Sequence, residues 1–133
     1  MATDESSSHV RPRQILIVDD NADAADMLAM NLRAAGHSAT IAADGTEALT
    51  CARDSVPEVV ILDIGMAGLN GYDVARTLRQ GSATKGALLI AVTGWAGEAN
   101  RQRAMEAGFD HHLTKPVKMT ELLSLIEDDK KHA

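Results

Sequence analysis

The residues best suited to chemistry are two adjacent aspartates, Asp19-Asp20, a third carboxylate at Asp63, a hydroxyl at Thr93, and Lys115 followed by Pro116. Three carboxylates brought together repel one another and raise at least one pKa unless a cation intervenes. Hard oxygen donors without histidine or cysteine favour Mg2+, which takes one or two carboxylates and keeps several waters. A carboxylate beside such an ion is a nucleophile toward a phosphoryl group and forms an acyl phosphate. A hydroxyl and an ammonium opposite the ion neutralise the charge that builds on the phosphoryl oxygens. The set points to phosphoryl transfer onto an aspartate. Residue types alone leave open which aspartate accepts.

Each residue also has a plainer use. A strand-end aspartate commonly caps the next helix, so Asp20 or Asn21 is a candidate cap. Thr93 before Gly94 suits a turn, and Lys115 suits an exposed surface. What favours the chemical reading is that every one of them stands at the end of a strand-like stretch.

Those stretches are "QILIVDD", "EVVILD", "ALLIAVTG" and the weaker "DHHLTKP". Short continuous apolar runs read as strands buried on both faces. "SATIAA" is a further strand, ending in "IAAD" without an obvious functional group, as suits an edge. Between them lie helical patterns. "NADAADMLAMNLRAAGH" places Ala24, Met27, Leu28 and Leu32 at helical spacing, with Gly36 as its stop. "DGTEALTCARDS" starts at Asp44 or Thr46 as cap, with Pro57 beyond its end. "YDVARTLRQ" stops at Gly81 and "EANRQRAMEAGF" at Gly108. "MTELLSLIEDD" closes the series, with Thr120 or a neighbour as cap. Such alternation predicts a doubly wound parallel sheet with right-handed crossovers and helices on both faces. In that fold the carboxyl ends of the strands line one crevice, where ligands bind.

Composition narrows the classes. A chain of 133 residues fits one domain, and 45% hydrophobic with 24% charged residues is ordinary for a globular protein. The aromatics are Tyr72, Trp95 and Phe109 alone, so aliphatic residues must build the core. A net charge of −6 argues against a nucleic-acid surface. The single cysteine, Cys51, excludes an internal disulfide and reads as a small core residue. No apolar run is long enough to span a bilayer, and "MATDESSSHVRPR" lacks the hydrophobic segment of a signal peptide, so no membrane association and a cytoplasmic setting are expected. Residues 1–13 read as a disordered polar tail or linker, 14–128 as the domain, and 129–133 as a charged tail.

The motifs "VDDN", "ILDIGM…GLNGYDVAR", "AVTG" and "HHLTKPV" together resemble the receiver domain of two-component response regulators. The order and the spacings of 43, 30 and 22 residues between Asp20, Asp63, Thr93 and Lys115 agree with that family. The resemblance covers about Gln14 to Asp128 and implies a CheY-like, flavodoxin-like five-stranded sheet of order 2-1-3-4-5. It implies Asp63 as phosphoacceptor, Asp20 as a direct Mg2+ ligand, Asp19 acting through a metal-bound water, and the backbone carbonyl of Gly65 completing the site. Thr93 and Lys115 would contact the phosphoryl oxygens. The donor would be a sensor histidine kinase or a histidine phosphotransfer protein. The target would be a protein that reads the face of the fourth helix, fifth strand and fifth helix, where Leu113, Val117 and Leu122 fall. Such a domain catalyses only its own phosphorylation and dephosphorylation, so it is a switch and not a metabolic enzyme. It would be either stand-alone or a piece of a hybrid kinase.

The chain departs from the family pattern at several points. His112 stands where switching usually uses an aromatic partner for Thr93, and its charge would make switching sensitive to pH. Ala67 replaces a frequent proline, leaving that loop less rigid. Gly65 provides no side chain to orient a hydrolytic water, while Trp95 shields the acyl phosphate, so slow autodephosphorylation is expected. A cis peptide between Lys115 and Pro116 is expected to aim the ammonium inward. A haloacid-dehalogenase-type phosphatase needs an Asp-x-Asp-x-Thr pattern that "DDNAD" lacks. An FMN binder is excluded by the charge of Asp19 and Asp20. A pseudo-receiver that only binds partners is the remaining alternative.

Overall fold

The strands that are apolar at both alternating positions form the middle of the sheet. They are β1 (Gln14–Val18), β3 (Val59–Asp63) and β4 (Leu88–Thr93), with β2 (Ser38–Ala42) and β5 (His111–Thr114) at the edges. All neighbouring pairs are parallel, in the order β2-β1-β3-β4-β5. This is the expected doubly wound, CheY-like arrangement, with burial to match: β3 and β4 are buried throughout, whereas β2 and β5 are buried only in part. The computed structural model describes residues 11–65, 71–95 and 97–128. The polar start (1–10), the charged end (129–133), Met66 and Ala67 lie outside them.

Alternation along the strands sends side chains to two separate cores. Ile15, Ile17, Ile61, Ile90 and Val92 face α1 (Ala22–Ala34) and α5 (Met119–Glu127), meeting Ala25, Ala29, Leu32, Leu122 and Ile126. Leu16, Val18, Leu62, Leu89 and Ala91 face α2 (Gly45–Asp54), α3 (Gly71–Gln80) and α4 (Glu98–Ala107). Alanines supply much of the helical side of both cores, which lets the helices sit close to the sheet. Cys51 is half-buried against the second of these cores, and burial raises its thiol pKa.

The helix starts follow local chemistry. Asn21, not Asp20, caps α1 by accepting the Ala24 N–H at 3.0 Å. Asp44, not Thr46, caps α2, and Glu47 accepts the N–H of Ala43, the residue before the cap. For α5 the expected Thr120 cap is absent: Lys118 holds the N-cap position and makes no side-chain cap bond. The buried stripe of α1 also differs from the expected one. Ala25, Ala29 and Leu32 face the sheet, leaving Met27 65% exposed. Alanines at two of the three buried positions hid the true stripe from a reading that weighted methionine.

A polar knot ties the end of the sheet opposite the strand carboxyl ends. Arg13 is 2% exposed and donates through Nε to Glu58 at 2.8 Å and through Nη1 to the Ile126 carbonyl at 3.0 Å. Its backbone N–H donates to His37 Nδ1 at 3.1 Å, so the proton of neutral His37 sits on Nε2, 3.1 Å from Glu127. Arg79 makes a second knot, donating to the carbonyls of Lys85, Ala87 and Gly108 and to the Asp110 carboxylate.

Candidate functional site

The five residues singled out by type are brought together at the carboxyl edge of the sheet. Register explains much of this: Asp63 and Thr93 end the two central strands, and Thr93 pairs with Thr114, one residue before Lys115. The backbone N–H of Lys115 donates to the Thr93 carbonyl at 2.8 Å, fixing where its side chain starts. Lys115 Nζ then reaches Asp63 Oδ2 at 2.9 Å. The Lys115–Pro116 peptide is cis.

Asp63 is 8% exposed, yet both of its oxygens are engaged. Oδ2 accepts from Lys115, and Oδ1 accepts the Gly65 N–H at 2.9 Å. The hydrogen bond to Asp63 raises the Lys115 pKa above its ordinary value, and the charges of Asp63, Asp19 and Asp20 add to this against partial desolvation. The ammonium is therefore secure at neutral pH. Thr93 is buried at 2% exposure, and its hydroxyl oxygen accepts the Trp95 N–H at 3.1 Å, leaving its own proton to donate.

Asp19 and Asp20 follow β1 directly. Asp19 Oδ1 accepts the Asn21 N–H at 3.0 Å. Burial raises the Asp19 pKa, and the neighbouring Asp63 carboxylate pushes it the same way, against the Asn21 hydrogen bond and the Lys115 charge. Carboxylate oxygens of Asp19, Asp20 and Asp63 lie within 4.8 Å of one another. Oxygens held at about 2.1 Å around one octahedral ion stand ~3–4.2 Å apart, so the cluster needs little adjustment to grip a hard divalent cation. An all-oxygen donor set is also the type that Mg2+ prefers.

Trp95 and Gly65 flank this cluster, and Trp95 is 64% exposed. His112 is separate from it. On β5 it pairs with Ala91 of β4, and its Nε2 is buried without a hydrogen-bond partner among the described residues. One feature was not legible in the sequence: an open groove of about 810 Å³ that runs from Asp19, Asp63 and Lys115 between α1 and the start of α5. Its apolar walls include Met27, Leu28, Val117 and Met119. The only signal for it was the position of Met27 on the helical turn following Asp23, on the same side as the carboxylates. No helix among the described residues is long and apolar enough to cross a membrane.

Residues 15–127 match the family model of the response regulator receiver domain. Over 114 residues the chain is 37% identical to the DNA-binding response regulator MtrA of Mycobacterium tuberculosis strain H37Rv, covering 86% of this chain and 49% of that protein. It is 36% identical over 115 residues to a 14.6 kDa protein from the sodA1 3′ region of Leptolyngbya boryana, covering 85% and 86% of the two chains. The chain thus spans about half the length of the MtrA relatives it matches. Among solved structures, the chemotaxis response regulator CheY4 of Vibrio cholerae superposes with a TM-score of 0.83 at 27% identity, covering 89% of this chain and 98% of that one. A response regulator from Burkholderia pseudomallei with a phosphorylated aspartic acid and a calcium ion gives 0.76 at 27% identity, covering 83% and 64%. With the fold, the strand-end carboxylates and these matches in agreement, the chain belongs to the receiver domains of response regulators.

Proposed function

We propose that residues 14–128 act as the phosphoacceptor of a two-component phosphorelay, with Asp63 taking a phosphoryl group from a phosphohistidine. The observation that best supports this reading is the Lys115–Asp63 contact at 2.9 Å, set beside a second and third carboxylate. A carboxylate oxygen of Asp63 attacks phosphorus as the phosphorus–nitrogen bond of the donor breaks. The electron pair stays on the imidazole nitrogen, which takes up a proton. Lys115 passes from the carboxylate to a phosphoryl oxygen, and Thr93 donates its hydroxyl proton to another. Asp20 and Asp63 would hold Mg2+ directly, Asp19 through a water, and Gly65 through its carbonyl. When bound, the ion supplies charge neutralisation at the phosphoryl oxygens.

The donor is a sensor histidine kinase or a histidine phosphotransfer protein, and the apolar groove beside Asp63 gives it a surface to dock on. The output is a protein contact made by α4, β5 and α5 in the cytoplasm. Leu113 and Leu122 are buried, so of the apolar residues noted there only Val117 remains partly open to a partner. The chain catalyses its own phosphorylation and dephosphorylation and no other turnover. Incubation with acetyl phosphate and Mg2+ tests this by intact mass. A single phosphate increment is expected, abolished by EDTA and by Asp63→Asn. Failure to form it, or its persistence in Asp63→Asn, overturns the assignment.

A further inference from the structure

His112 lies on β5 between strand neighbours that face the other way. Leu113 packs into the core under α1 and α5, so the His112 ring turns toward the layer of α2, α3 and α4, as does its register partner Ala91. Its Nε2 is buried and has no hydrogen-bond partner among the described residues. A buried, unpaired ring nitrogen is tolerated as a neutral imidazole and strongly disfavoured as an imidazolium.

The helix above it is weakly held. Of the residues of α4 only Ala104 and Ala107 are buried, and its N-cap, Gly97, offers no side-chain bond. Among its charged side chains, Arg101 is the one whose charge acts on His112, with Glu98 paired to Arg101 by a salt bridge. Arg103 lies over the Tyr72 ring at 4.4 Å, and Gln102 donates to Glu106. On the remaining elements of this layer, Asp110 is held by Arg79, Arg76 by Asp73, and β4 has no ionisable side chain. Among the described residues, no carboxylate is hydrogen-bonded to His112 Nε2.

We propose that His112 makes the seating of α4 on β5 sensitive to acid, so that protonating the ring loosens α4 without any phosphorylation. Burial, and secondarily the Arg101 charge, hold the His112 pKa below the ordinary histidine value. The contribution is thus present in full above the ordinary histidine value and is lost as pH falls from there through the lowered one. An imidazolium formed there meets a like charge in Arg101, and its Nε2–H has no acceptor among the described residues, so the ring leaves its site and takes the support of α4 with it.

A pH titration of the full chain by NMR tests this, following the His112 ring and the α4 backbone amides together. The His112 midpoint should fall below about 6.5, and the amides of residues 98–107 should shift with the same midpoint. Arg101→Gln should raise that midpoint. His112→Phe, which keeps an apolar ring in the site, should abolish the α4 transition while the domain stays folded. A His112 midpoint at or above the ordinary value, or an α4 transition that survives in His112→Phe, would overturn the proposal.

Discussion

Trp95 stands over Gly65 at the rim of the Asp63 carboxylate. A Cβ on Gly65 would lie 3.8 Å from Trp95 Cζ3 and 3.5 Å from Asp63 Oδ1. The indole thus borders the space that a hydrolytic water must cross, and no side chain at 65 competes with it. Trp95→Ala should open that path. If the ring contributes about 1 kcal/mol to the barrier, decay of the phosphorylated form speeds up ~5-fold. The loss of acetyl-phosphate-derived label after removal of the donor measures it, and an unchanged rate removes the shielding role.

The three carboxylates set up a second expectation. Without a cation their mutual repulsion destabilises the folded chain, so Mg2+ should raise the melting temperature and EDTA should reverse the effect. Asp19→Asn keeps an oxygen for the Asn21 N–H at 3.0 Å while removing one charge. In metal-free buffer it should stabilise by about 0.5 kcal/mol, a modest figure because Asp19 is partly solvated. It should also weaken the response to Mg2+. Differential scanning fluorimetry with and without Mg2+ separates the two, and a variant less stable than wild type in EDTA contradicts the repulsion.

Composition groups Arg13 with the polar segment before β1, yet it is 2% exposed and holds two elements at once. Arg13→Ala leaves the Ile126 carbonyl and part of Glu58 without a donor and opens a cavity. A loss of about 2–4 kcal/mol is expected, read from urea denaturation. Because the knot is at the far end of the sheet from Asp63, labelling by acetyl phosphate should persist in the folded fraction.

Gly71 opens α3 where a Cβ would come 2.7 Å from Leu62 Cδ2 and 3.1 Å from the Ile64 Cα. Gly71→Ala must therefore push α3 away from the β3 end. A cost of about 1–3 kcal/mol is expected. Since the strand it presses against carries Asp63, the rate of phosphorylation should fall along with the denaturation midpoint.

Much of this site could be read from the chain because a parallel sheet converts linear order into proximity. Asp63 and Thr93 end their strands and Asp19 and Lys115 directly follow theirs, and strands in register put their ends on one edge. Burial at both alternating positions made β3 and β4 unmistakable. What the sequence concealed depended on side-chain direction and on small residues. Met27 looked like core and is solvent-facing, because Ala25 and Ala29 carry the contact with the sheet. The start of α5 gave a threonine where the helix begins instead at Lys118 without a side-chain cap. The closeness of Arg101 to His112 had no sequence signal, since α4 has little apolar periodicity to show which face turns inward. The Arg13–Ile126 bond joins residues 113 positions apart, a distance over which no local pattern speaks.

That bond also bears on mechanics. The last turn of α5 is fastened through the Ile126 carbonyl and Glu127 to Arg13 and His37, which bracket the entry of β1 and β2. A pull on the end of α5 is thus borne first by the inner strand β1 and the edge strand β2 beside it, not by a loop. These bonds share the load in parallel, so α5 should resist peeling from its carboxyl end and behave as a stiff strut.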